Sequence, residues 1–154
     1  MTLATLMREE LMEVERLQQW LQREYDALKA RDLADLEQVV AEKQQCVDRL
    51  RALTDARLDY LKAQGIADAR HWVSHVERLP VAERREIDTL WDALEQTAQQ
   101  VRAQNEVNGA VIAASRNHVE RTLAILHGRD SLDFLYDQDS RKVFGGRNQP
   151  IAKA

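Results

Sequence analysis

The chain has 154 residues and a mass of 17.8 kDa, enough for one domain with a real core and too little for two independent ones. Charged residues make up 31% and aromatics 5%, with five glycines and two prolines, a balance that fits long amphipathic helices and not a turn-rich sheet protein. The net charge of -4 and a pI near 5.6 argue against nucleic-acid binding, which needs clustered Lys and Arg; the pair Arg84 and Arg85 is too small to supply that surface.

The first predicted helix runs from about Thr5 to Ala30, because Leu3, Met7, Leu11, Val14, Leu17, Leu21, Tyr25 and Leu28 recur at gaps of four or three. Glu9 and Glu10 near its start and Lys29 and Arg31 near its end agree with the helix dipole. Asp32 is a suitable N-cap for a second helix, with Asp35 where a capping box places an acidic or amide residue. A link of two or three residues makes the two helices an antiparallel hairpin. The second helix continues through Leu36, Val40, Val47, Leu50, Leu53, Leu58 and Leu61, and Gly65 is its natural stop. Lys43 and Arg57 interrupt its apolar face; their methylenes are expected along the core edge with the charges in water, and neither is assigned to a site.

From Ile66 to Leu79 the pattern is short, with Asp68 as a cap and Trp72, Val73 and Val76 as an apolar patch, so a two-turn helix is expected across the end of the hairpin. Pro80 suits the first turn of a last, very long helix that reaches Gly128 without another proline. Its predicted seam is Ile87, Trp91, Leu94, Ala98 and Val101, then Ile112, Ser115, Val119, Thr122 and Leu126. Asn105 and Asn108 occupy the two seam positions between these halves, followed by Gly109. The amides either hydrogen-bond across the bundle, with the glycine admitting a close backbone or a bend, or divide a packed half from a half reserved for a partner.

The predicted fold is therefore all-α: an elongated antiparallel bundle of three long helices plus one short helix over residues 1–128, with a mobile C-terminal tail over 129–154. The aromatic cluster Phe134 to Tyr136 in that tail either folds back on the bundle or serves as a short recognition element. At 1.5 Å per residue the long helices measure ~39, ~48 and ~70 Å, so the last must overhang. The overhang is the stretch beyond about Gly109, with Val111, Ile112, Val119, Leu123 and Leu126, and an exposed apolar seam of that length marks a partner surface.

Catalytic and ligand chemistry is not indicated. Cys46 is the single cysteine, which rules out an intramolecular disulfide and a thiolate-rich zinc site and favours a reducing compartment. His71 and His75, with Glu77 nearby, lack the repeats of di-iron bundles or zinc proteases, and His118 and His127 are isolated. Gly145 and Gly146 follow no strand and form no phosphate loop. The carboxylates, as in Glu83, Glu86 and Asp88, interleave with Arg and Lys and are expected on solvated faces. The expectation is a protein that is not an enzyme and takes no metal or cofactor. No apolar run before Arg8, Glu9 and Glu10 is long enough for a signal peptide, and none approaches the ~18 to 20 residues of a membrane span, so a cytoplasmic location without stable membrane insertion is expected.

Several of these residues carry a resemblance. Leu21, Glu24 and Leu28 in the first helix, then Asp32, Lys43, Leu50, Leu53 and Arg57, the run Asn105, Asn108, Gly109 and Ile112, and finally Tyr136 and Asp137 together resemble the FlgN family of bacterial flagellar type III export chaperones. The family tail often continues from its tyrosine to a glycine, whereas this chain has Gln138, Asp139 and Ser140. The resemblance implies a cytoplasmic chaperone that binds hook-associated (hook-filament junction) proteins through their C-terminal helical segments, prevents premature assembly and delivers them to the export gate. It places the client surface on the last helix and tail, with Tyr136 as the export-gate contact; the overhang and the asparagine layer make Asn105, Asn108, Gly109, Val111, Ile112, Val119, Leu123 and Leu126 the client-binding candidates. The rival readings are a structural coiled-coil protein that closes its seam by self-association and a small-ligand or metal-binding four-helix protein.

Overall fold

The computed structural model describes residues 1–127, and all regular structure there is helical: α1 (Leu3–Ala30), α2 (Leu33–Ala63), α3 (Ala69–Glu77) and α4 (Val81–Leu126). The tail expected over 129–154 lies outside the described residues, as does its proposed mobility. The chain falls into two units, Met1–Val111 and Ile112–Ala154.

Each boundary has a local cause. α1 begins two residues before the expected position because the Thr2 hydroxyl accepts a hydrogen bond from the Thr5 N–H at 3.2 Å, an N-cap the periodicity did not mark. It ends at Arg31, whose φ of 54° and ψ of 36° are left-handed, with the Asp32 N–H returning to the Ala27 carbonyl at 3.1 Å. Asp32 caps α2 as expected, its carboxylate accepting from the Asp35 N–H at 3.1 Å. Gly65, at φ 75°, turns the chain after α2. Asp68 caps α3 through the His71 N–H at 2.9 Å. Pro80 stands one step earlier than the first turn, its carbonyl accepting α4's first backbone bond from Arg84 at 2.9 Å.

Within the first unit the order of contacts fixes the helix directions. Going up α1, Glu10 meets Arg57, Glu13 meets Arg49 and Glu24 meets Lys43, so α1 and α2 are antiparallel. Arg8 meets Glu86, Gln18 meets Gln100 and Glu24 meets Asn108, so α4 runs parallel to α1. One apolar cluster joins these two, Leu3, Ala4, Met7 and Val14 packing with Ile87, Leu90 and Leu94, and Leu50, Tyr60 and Leu61 of α2 pack against it. A second cluster joins Leu17 and Leu21 to Cys46, with Val47, Leu50 and Val101 packed against it. Fully buried side chains such as Met7 and Ile87 each contribute roughly 1.5–3 kcal/mol.

Candidate functional site

α4 carries two stripes at seven-residue spacing, and burial separates them. Ile87, Leu94, Val101 and Asn108 face inward, with Val101 half-buried and the others buried. Trp91, Ala98 and Asn105, one heptad apart on the neighbouring stripe, are exposed. Leu90, absent from the predicted seam, is buried where Trp91 was expected. The Trp91 indole instead lies under the Arg57 guanidinium, 5.5 Å from its centroid, and 6.2 Å from the Trp72 ring.

The asparagine pair is therefore not a pair in structural terms. Asn108 is 1% exposed, and its Nδ2 donates to the Leu21 carbonyl at 2.8 Å and to Glu24 Oε1 at 2.9 Å. Its Oδ1 accepts from Gln104 at 2.9 Å. Glu24, 2% exposed, uses its other oxygen for Lys43 Nζ at 2.6 Å, so one polar node ties α4, α1 and α2. Asn105 is exposed and takes no part in it. Gly109 is exposed too, and a Cβ there would meet nothing within 4 Å, which corrects the expectation of a close neighbouring backbone.

Three acidic residues that the sequence placed on solvated faces are interior. Glu10 accepts from Arg57 Nε at 2.6 Å and from the Thr54 hydroxyl at 2.8 Å; Glu13 accepts from Arg49 Nε at 2.8 Å; Glu24 completes the node. Lys43 and Arg57 thus direct their charges to buried carboxylates and not to water. Burial alone would raise the Glu13 carboxyl, but the hydrogen bond from Arg49 and the charges of Arg49 and Arg16 hold it below its ordinary 4.5. Cys46 is fully buried with its thiol directed to the Glu13 main-chain carbonyl at 3.4 Å, and burial beside the Glu13 carboxylate pushes it up to about 12. A signal existed in the sequence: Glu10, Leu17, Leu21 and Glu24 share a heptad face, and basic residues recur at Lys43, Arg49 and Arg57.

Of the predicted surface residues, Asn105, Asn108, Gly109 and Val111 belong to the first unit, where Val111 is half-buried. Ile112, Val119, Leu123 and Leu126 belong to the second and are exposed, Val119 by 54% and Leu126 by 75%. Ile125 joins them at 78%, a residue the seam pattern omitted, while Ala124 between them is buried. These apolar side chains crowd one short helical segment, which is the kind of patch that marks an interaction surface. Tyr136 lies outside the described residues.

Two clefts open in the first unit. One, of about 520 Å³, is bounded by Met7, Leu58, Leu61, Ile66, Trp72 and Trp91. The other, of about 310 Å³, lies between Leu50, Thr54 and Arg57 of α2 and Trp91, Leu94 and Ala98 of α4. Among the described residues no three His, Cys, Asp or Glu side chains converge to hold a metal ion. His71 pairs with Asp68 at 2.9 Å, and the His71 N–H is the main reason the Asp68 carboxyl is held below its ordinary value. No described helix is long and apolar enough to cross a membrane.

A family model described as FlgN protein matches residues 1–143 of the chain. No curated protein and no solved structure matches it.

Proposed function

The chain belongs to the FlgN family, and from that membership, which supports a general role as a flagellar export chaperone, we propose a specific client and surface. The client is a hook-associated (hook-filament junction) protein, bound through its C-terminal helical segment. The surface is the apolar face of Ile112, Val119, Leu123 and Leu126, which recur at gaps of seven, four and three. The observation that carries this reading is their exposure on one helical segment, since an amphipathic helix buries its apolar face readily against such a stripe. Occupying the client's helix keeps it from the contacts it makes during assembly.

The rest of the proposal follows from the same role. The protein works in the cytoplasm without catalysis or a cofactor, as an antiparallel bundle of three long helices and one short one. It passes its client to the type III export gate, with Tyr136 as the contact residue. The buried node at Asn108 serves packing, and Asn105 and Gly109 are available at the surface.

Mixing the purified chain with a purified hook-associated protein, and with the same protein lacking its C-terminal helical segment, tests this directly. A defined complex is expected only with the intact client. Equal binding of both forms, or of neither, contradicts the proposal.

A further inference from the structure

The link between α1 and α2 consists of Arg31 and Asp32 alone. Arg31 is the one described non-glycine residue with positive φ, held at 54° where a side chain with a Cβ is strained. Asp32 opposes that strain by capping α2. The break between the helices is held by the Asp32 cap, by the Asp32 N–H bond to the Ala27 carbonyl and by the Arg23–Asp35 pair, against one unfavourable backbone conformation. No glycine or proline occurs from Leu3 to Gln64, so the chain on both sides is suited to continuing as one helix.

The face that α1 offers α2 is specific to this sequence. Glu10, Glu13 and Glu24 are buried and need Arg57, Arg49 and Lys43 at matching heights; a foreign or slipped helix would leave a buried carboxylate without its cation. The partner that supplies all three at the right spacing is another copy of the same chain. α1 is covalently joined to the rest of the described fold through this short link only. Short, strained hinges of this kind favour exchange of the element they hold.

We propose that two copies of the chain exchange α1. Arg31 and Asp32 become helical, α1 and α2 join end to end, and each α1 takes its usual place against α2 and α4 of the other copy. Every buried pair of the monomer is remade between chains, and the strain at Arg31 is released.

The test is refolding of the full chain at high concentration, followed by sedimentation and by subunit exchange with isotope-labelled protein. The unmodified chain should yield a dimer fraction with unchanged helical circular dichroism that exchanges only on the timescale of unfolding. Arg31→Ala with Asp32→Ala, which removes the cap, should raise that fraction at least tenfold, and Arg31→Gly, which relieves the strain within the monomer, should lower it. Equal dimer fractions in the two variants, or dimers that re-equilibrate within seconds of dilution as a surface contact through Trp91 or Val119 would, overturn the proposal.

Discussion

At Arg31 a left-handed backbone is imposed on a residue with a side chain, where helices more often end on glycine. Replacing it by glycine removes a strain of about 1–2 kcal/mol and adds part of that back as unfolded-chain entropy, so Arg31→Gly should stabilise the monomer by about 0.5–1 kcal/mol, read from urea denaturation at low protein concentration. Cys46 makes a second residue-scale case. Its folded thiol ionises at about 12 against an ordinary 9.0, so its contribution to stability is intact below pH 9 and is lost as pH rises toward 12. Cys46→Ala should flatten that alkaline limb, and at pH 8 the native thiol should react with a thiol reagent only as fast as the protein unfolds. Glu13 works in the opposite direction: with its carboxyl held below 4.5, the unfolded state binds more protons on acidification, and stability falls as pH drops through the folded value. Glu13→Gln should make acid unfolding less steep, as seen in denaturation midpoints between pH 6 and 3.

Between elements, the two interfaces of α1 differ in kind. Its side toward α4 is built on Met7, Val14, Ile87, Leu90 and Leu94, while its side toward α2 adds to the Leu17, Leu21 and Cys46 cluster three interior carboxylates with basic partners. Removing one member of such a pair strands a buried charge. Arg57→Met, which leaves Glu10 with the Thr54 hydroxyl alone, should cost about 3–5 kcal/mol, and adding Glu10→Leu should recover most of it by converting the site to apolar packing. Chemical denaturation of the two variants measures this, and equal losses would contradict the ion-pair account. The same elements show what sequence reading reaches. Asp32 and Asp68 were legible as caps because their chemistry is local. The choice of Leu90 over Trp91 was not, because both continue a three-and-four spacing from Ile87 to Leu94, and which one turns inward depends on where α1 and α2 lie. Glu10, Glu13 and Glu24 were missed for a related reason: a glutamate on a helix is ordinarily solvated, and only the basic residues of another helix make its burial tolerable.

For the molecule as a whole, the long α4 is shared between two environments. Its residues up to Asn108 supply the inward stripe of the first unit, and those from Ile112 to Leu126 present exposed apolar side chains in the second. Membership of the FlgN family gives that exposure a context, because a chaperone needs an apolar surface that its own fold leaves uncovered. The most direct test is the affinity of a purified hook-associated protein for the unmodified chain and for Val119→Asp, Leu123→Asp and Leu126→Asp. Each variant should bind at least tenfold more weakly, a loss of about 1.4 kcal/mol or more, with unchanged helical circular dichroism. Unchanged affinity in all three, with the fold intact, would contradict the placement of the client surface on this part of α4.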